Sequence, residues 1–277
     1  MSRDALLQCC TRGKLARGDR HLTGFVDIHS HILYGLDDGP STLEESVAML
    51  ELARAAGTTD IVATPHADGQ FAFDPKTIEA RITELSARVP GITIHRGCDF
   101  HLQVDNIEDA LAHPKKYTVN HRAYLLVEFP HMTVFPGSTG ILLRLLSAGM
   151  TPIVTHPERN AHLQRNLGEL ARWVDAGCLA QVTAASCTGQ FGRRVKASAD
   201  ELMSRQLVHF IASDAHDVEH RPHDLRQAYA ELSKEWGESR VRPLFVDNPR
   251  AVLRGDEIEA TVAQAVGKPR KWYQFWR

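Results

Sequence analysis

Seven short runs rich in β-branched and aliphatic residues, separated by longer stretches with helical signals, constrain this chain more than any other feature. The runs are Phe25 to Ile28, Asp60 to Ala63, Ile92 to Arg96, Tyr124 to Val127, Pro152 to Val154, Leu179 to Thr183 and Val208 to Ala212. Such alternation builds βα units, because two parallel strands need a crossover long enough to hold a helix. Ser41-Thr42-Leu43-Glu44 reads as a capping box that opens a helix through Ala56, with Gly57 where that helix stops. Asp74-Pro75 supplies an N-cap and a first-turn proline for a helix to Arg88, closed by Pro90-Gly91. Further helices are expected near Thr139 to Ala148, Asn166 to Ala176, Val195 to Arg205 and Leu225 to Trp236. The 277 residues suit one α/β domain with trimmings, and no fixed-period repeat points to a solenoid. A parallel barrel or a wound sheet satisfies the pattern, and either carries its ligand site beyond the carboxyl ends of its strands.

The residues that follow each run therefore carry the chemistry. His29-Ser30-His31 follows the first, and alternation along an extended chain points both imidazoles to one side. Thr64-Pro65-His66 follows the second, Cys98-Asp99-Phe100-His101 the third and Glu128-Phe129-Pro130 the fourth. Thr155-His156-Pro157-Glu158-Arg159 follows the fifth, and Ser213-Asp214-Ala215-His216 the seventh. A lone histidine is more often a surface or satisfied core residue. Six of seven strand ends offering His, Asp or Glu, gathered by the fold at one rim, turn the reading to metal. Nitrogen and oxygen donors without thiolate suit Mn, Fe or Zn, and carboxylates able to bridge suit more than one ion. Paired ions make hydroxide from water near neutral pH and clamp phosphate oxygens during in-line displacement. Arg159 and Arg221, a few residues past proposed ligands, offer permanent charge and bidentate contacts to phosphate. Of the fifteen histidines, His21, His95, His113, His121, His162, His209, His220 and His223 lack such placement and read as ordinary. His101 and His131 lie near the rim without an assigned role.

A formal net charge of −2 leaves no overall basic field to attract nucleic acid or an anionic membrane, so neither is an expected partner. The five cysteines, Cys9, Cys10, Cys98, Cys178 and Cys187, lack C-x-x-C spacing, and a reducing cytoplasm is the expected setting. No apolar stretch reaches signal-peptide length and none approaches the roughly eighteen residues of a membrane span. Secretion and membrane spanning are therefore not expected.

Asp27-Ile28-His29-Ser30-His31-Ile32-Leu33, Gly35-Leu36-Asp37-Asp38-Gly39-Pro40, Thr42-Leu43-Glu44-Glu45-Ser46 and Ala63-Thr64-Pro65-His66 resemble, in order, blocks of the polymerase and histidinol phosphatase (PHP) superfamily. Glu128-Phe129-Pro130, His156-Pro157-Glu158-Arg159 and Ser213-Asp214-Ala215-His216 continue the likeness. Within that superfamily the chain is similar to the bacterial manganese-dependent protein-tyrosine phosphatases of capsular and exopolysaccharide gene clusters. The resemblance implies a distorted (β/α)7 barrel of the PHP type holding three divalent ions, with Mn first and Fe or Zn as alternatives. It implies one ion on His29, His31, Asp99 and Asp214, a second on Asp99, Glu128 and His156, and a third on Asp38, His66 and His216. It assigns the substrate phosphate to Arg159 and Arg221. The implied substrate is a phosphotyrosine protein, with an autophosphorylating bacterial tyrosine kinase as partner, and oligomers are compatible with it. The family usually carries Glu where this chain has Asp99. The PHP domain is expected over residues 24–260, between a flexible N-terminal extension, 1–23, and a basic, aromatic tail, 261–277.

Other readings stay open at this point. The same metal site could act on histidinol phosphate or another small phosphoester, and a metal-binding scaffold without activity would be expected to lack part of the ligand set or Arg159. Cys187-Thr188-Gly189-Gln190-Phe191-Gly192-Arg193 satisfies the Cys-x5-Arg spacing of thiolate phosphatases. It lies between a strand and a helix, where backbone N–H groups lower a thiol pKa and cradle phosphate. That mechanism leaves the acidic and histidine rim unused, and the segment is similar to a Ser-Leu-Thr-Gly-x-Phe-Gly stretch of the metal family. The two chemistries separate experimentally. Phosphatase activity is expected to vanish in EDTA and to survive Cys187→Ser, and the opposite pair of results would reverse the choice.

Overall fold

All seven expected strands form, and every pairing is parallel. The computed structural model describes residues 24–258, so the expectations for 1–23, with Cys9, Cys10 and His21, and for the tail 261–277 lie outside the described residues. β1 (Phe25–Ser30) pairs with β2 (Thr58–Ala63), which pairs with β4 (Thr93–Arg96). The second and third strands are each interrupted once. β3 (His66–Ala67) resumes after β2, β5 (Asp99–His101) resumes after β4, and the two resumed segments pair with each other. Pro65, which has no N–H to donate, sits in the first break. Gly97 sits in the second, where an added Cβ would come within 2.6 Å of Val62. From β5 the order runs through β6 (Tyr124–Glu128), β7 (Thr151–Thr155), β8 (Leu179–Thr183) and β9 (Phe210–Ala212).

The ring closes between its ends. Ser30 bridges Ala215, the Asp214 N–H donates to the His29 carbonyl at 2.9 Å, and the His31 N–H donates to the Ala215 carbonyl at 2.9 Å. This is the distorted (β/α)7 barrel. Its interior is plugged by one buried cluster to which six strands contribute, including Val26, Ile28, Leu126, Ile153, Leu179 and Phe210. Side chains two residues apart share a strand face, so Leu126 leads to Glu128 and Leu179 to Gln181. An apolar tier thus supports a polar one at the carboxyl end. Outside the ring, Leu145, Trp173, Leu202, Leu232 and Phe245 belong to a larger cluster beneath the helices.

Two local expectations need correction. The first helix, Leu43–Ala55, begins one residue later than the Ser41 to Glu44 reading places it. Thr42 is the N-cap: its hydroxyl accepts from the Glu45 N–H, while the Glu45 carboxylate accepts from the N–H groups of Thr42 and Ser41. Helices Val104–Ala112 and Asn248–Arg254 were not anticipated; the first follows Gln103, which makes no side-chain cap bond, so it lacks the start signal that marked Pro75–Arg88. Among the described residues no helix is long and apolar enough to cross a membrane.

Leu126, fully buried within the plug, tests this architecture. Leu126→Ala is expected to destabilise the fold by about 2–5 kcal/mol, read as a lower midpoint in urea unfolding followed by circular dichroism.

Candidate metal centre

The polar tier is built by register. Between Asp27 and Ser30 the pairing with β2 slips by one residue, and such a bulge re-aims the side chains beyond it. Ile28 stays in the plug while His29 and His31 reach the rim, their Nε2 atoms 3.3 Å apart. Each ring is held from behind. His29 Nδ1 donates to Gln181 Oε1 at 2.9 Å, and His31 Nδ1 donates to Asp37 Oδ2 at 2.8 Å. Outer acceptors of this kind fix the tautomer and leave the Nε2 lone pair directed inward. His216 is oriented the same way, with Nδ1 3.0 Å from the Asp214 carbonyl.

The acids meet those nitrogens at spacings longer than a hydrogen bond. Asp99 Oδ2 lies 3.4 Å from His29 Nε2, and Asp214 Oδ1 lies 3.5 and 3.6 Å from the Nε2 atoms of His29 and His31. Asp38 Oδ1 lies 3.4 Å from His66 Nε2 and 3.3 Å from His216 Nε2, and Glu128 Oε1 lies 3.4 Å from His156 Nε2. Atoms each about 2.1 Å from one shared ion sit roughly 3.0–3.4 Å apart, close to the 3.3–3.6 Å spacings here. Both Asp99 oxygens and Glu128 Oε2 are buried without any hydrogen-bond partner. Burying a carboxylate unpaired is costly, and the donor set of imidazole and carboxylate suits a divalent transition ion. The residues present fit metal. Ligand atoms of His31, Asp38, His66 and His216 converge within 4.8 Å, as do those of His29, His31 and Asp214, and those of His29, Asp99 and His156. Glu128 joins them through a group with His66, Asp99 and His101, so all nine acids and histidines singled out in the sequence meet at one rim.

Arg159 and Arg221 both bond to Asp214 Oδ2, leaving Oδ1 to the imidazoles. The Arg159 guanidinium also lies 5.0 Å above the Phe191 ring, and the buried Arg221 Nε has no partner. The chain leaves the strands at His156 and Asp214 with φ of 33° and 53°. Left-handed backbone at non-glycine residues is strained, and such strain concentrates at working sites.

Residues 25–254 match the family described as capsular polysaccharide synthesis, CpsB/CapC. The chain belongs to that family. It is 32% identical over 255 residues to the tyrosine-protein phosphatase YwqE of Bacillus subtilis, covering 91% of this chain and 100% of the relative. It is 33% identical over 238 residues to the tyrosine-protein phosphatase CpsB of Streptococcus pneumoniae, covering 82% and 98%. A crystal structure from work on those two proteins, described as unique metal-dependent tyrosine phosphatases, superposes with a TM-score of 0.82 at 30% identity, covering 88% of this chain and all of the other. A lactonase of Listeria monocytogenes shares the fold at a TM-score of 0.55 and 12% identity.

In this CpsB/CapC member the unpaired acids set the electrostatics. Burial lowers the His29 pKa, but Asp99 and Asp214 outweigh it and push it up to about 9. His66 rises to about 10 against its own burial, through Asp38, Asp99 and Glu128. His31, buried and beside His216, falls to about 4. Burial and the neighbouring Glu128 raise Asp99, whereas Glu128 is held low against its own burial by His156 and His101.

Three expectations change here. Cys187 is buried, and burial with Glu158 nearby pushes its thiol upward, the reverse of what a thiolate nucleophile needs. The thiolate reading fails. The reading of His223 as ordinary becomes more specific: it is a satisfied core histidine, with Nδ1 3.0 Å from Asp27 Oδ2 and Nε2 2.7 Å from Ser30 Oγ. Asp27 Oδ1 in turn accepts from the Ser213 N–H at 3.0 Å, tying the strand that carries His29 to the turn that carries Asp214. Asp37 and Gln181, which orient His31 and His29, were missed altogether. Neither terminates a strand run, and only closure of the ring brings Gln181 to His29. His101 and His131 also join the centre, each within reach of Glu128.

Removing the His223 ring strands Asp27 Oδ2 in the interior. His223→Ala is expected to cost about 1–3 kcal/mol in chemical unfolding; unchanged stability would show that this network does not hold the closure.

Proposed function

We propose that the protein is a metal-dependent phosphomonoesterase that hydrolyses phosphotyrosine on proteins. The observation that carries this reading is the convergence of imidazoles with buried, partnerless carboxylate oxygens beside two arginines. Family membership and the full-length likeness to named tyrosine-protein phosphatases support the substrate class. The proposed ligands are His29, His31, Asp99 and Asp214 for one ion, Asp99, Glu128 and His156 for a second, and Asp38, His66 and His216 for a third. Mn is the proposed ion. Bound divalent ions supply Lewis-acid polarisation of the phosphoryl group and acidify water near neutral pH.

The protein's own residues supply orientation. Arg159 and Arg221, which share one oxygen of Asp214, are the proposed bidentate contacts for a phosphate at the rim. Gln181 and Asp37 hold the His29 and His31 rings with their Nε2 atoms inward. The plug beneath the tier closes the barrel from below and leaves the rim as the approach for substrate. The proposed partner is an autophosphorylating tyrosine kinase of polysaccharide export, met in the cytoplasm. A single catalytic domain over residues 24–260, with appended termini, is part of the same proposal.

A phosphotyrosine peptide is expected to be hydrolysed in preference to histidinol phosphate, with Mn present and not after chelation. A preference for histidinol phosphate would discard the substrate assignment. Asp214→Ala and His156→Ala are each expected to lower kcat by on the order of 100-fold or more. Binding should also depend on pH. With their pKa raised to about 9 and about 10, His29 and His66 are protonated near pH 7 in the ion-free protein, and a ligand must release its proton. Metal affinity is therefore expected to rise from pH 6 to pH 8 by roughly tenfold per unit for each proton displaced. Equilibrium dialysis across that range checks this, and pH-independent affinity would contradict it.

A further inference from the structure

The segment after β8 supplies no ligand to the metal centre, although its Cys-x5-Arg spacing singles it out in the sequence. The short helix Ala184–Cys187 follows the strand, and the chain then turns through Gly189 and Gly192, with φ of 84° and 90°, into the helix Arg193–Ser204. Cys187 is buried in the large cluster beneath the helices and anchors that turn. The Gln190 N–H donates to the Ala185 carbonyl at 3.0 Å and the Gly192 N–H to the Gly189 carbonyl at 2.9 Å, which fixes its course. Glu158, the chain neighbour of Arg159, is fully buried, and its Oε1 accepts from the Thr183 N–H at 3.1 Å and from the Ser186 hydroxyl at 2.6 Å. The segment is therefore tied to the turn that carries Arg159, and it returns Phe191 to that arginine, with the guanidinium carbon 5.0 Å above the centre of the ring. Phe191 and Arg221 also line one cavity of about 170 Å³, so the ring borders both arginines.

We propose that Phe191 is a positioning residue for Arg159, holding the guanidinium at the rim so that it meets phosphate already oriented. The inference rests on the phosphatase reading above and names a residue that reading does not use. A guanidinium directs all its N–H donors within its own plane, whereas an aromatic ring attracts it through the face. A carboxylate in the place of Phe191 would occupy donors and offset the charge that phosphate needs; the ring does neither. Arg159 gives Nη1 to Asp214, and Phe191 restrains the group without taking a further N–H. An arginine restrained in this way loses less rotamer freedom when phosphate arrives, so the contact acts on phosphate binding. Glu158 and Cys187 hold the segment that delivers the ring, which gives the Cys-x5-Arg stretch a part in the site that needs no thiolate.

Calorimetric titration of Mn-loaded, full-length protein with inorganic phosphate reads the contact without turnover. Phe191→Leu, which keeps apolar bulk and removes the aromatic face, is expected to weaken phosphate binding by about two- to thirtyfold, the range of a cation–π contact. Phe191→Met is a second ringless variant with the same expected loss, and it keeps the test open if the leucine variant does not fold. Phe191→Tyr retains the face and is expected to stay within about twofold of the wild type. In an Arg159→Ala background Phe191→Leu is expected to have no further effect, because a residue that acts through Arg159 then has nothing to position. With a phosphotyrosine peptide, Phe191→Leu should raise KM more than it lowers kcat. Wild-type phosphate affinity in the ringless variants, or an equal loss with and without Arg159, would overturn the proposal. Wild-type protein that binds phosphate but leaves the peptide intact would instead overturn the substrate reading, and the calorimetry would still decide the part played by Phe191.

Discussion

Buried carboxylate oxygens without hydrogen-bond partners, crowded by imidazoles, are the constraint on which this structure turns. Asp99 has no hydrogen-bond partner on either oxygen, and Glu128 has none on Oε2. The imidazoles around them are displaced from their ordinary titration in both directions, up at His29 and His66 and down at His31. Protons on His29 and His66 balance these acids in the ion-free protein, and a metal ion would have to displace them. Two arginines share one Asp214 oxygen and leave the other to the imidazoles. Divalent ions held there would complete the balance and would supply the Lewis acid of the proposed reaction.

The barrel exists to hold that charge in place. Parallel register sets His66 beside Asp99 and His101 beside Glu128, and the bulge in β1 turns His29 and His31 to the rim above the plug. The least regular part of the ring, between β9 and β1, is closed by backbone bonds from Asp214 to His29 and from His31 to Ala215. Asp27 and His223 brace that seam from inside. Ligands on opposite ends of the chain, residues 29 and 216, therefore depend on one closure.

How much of this was legible in the sequence depends on the residue. Strand positions were readable because β-branched runs announce themselves, and the convergence of candidate ligands was readable because they sit at strand ends that the fold gathers at one rim. The residues that aim those ligands were not. Gln181 is a neutral amide inside β8, and nothing local marks it. Asp37 lies in a loop, one residue from the Asp38 that was chosen, and only folding of that loop puts its carboxylate on His31 Nδ1. His223 reads as ordinary, and its part in bracing the closure is hidden because its partners, Asp27 and Ser30, lie at the other end of the chain. The capping box slipped by one residue because Ser41 and Thr42 both fit the pattern and the backbone decides between them. Cys187 satisfied a motif spacing, but spacing carries no information about burial.

The central claim is that ions sit between these particular atoms. Crystals grown with manganese and measured at its absorption edge test that directly. Anomalous peaks are predicted roughly 2 Å from His29 Nε2, Asp214 Oδ1, His156 Nε2 and His216 Nε2. A well-ordered rim with no peak there, and with Asp99 and Glu128 still unpartnered, would contradict the account.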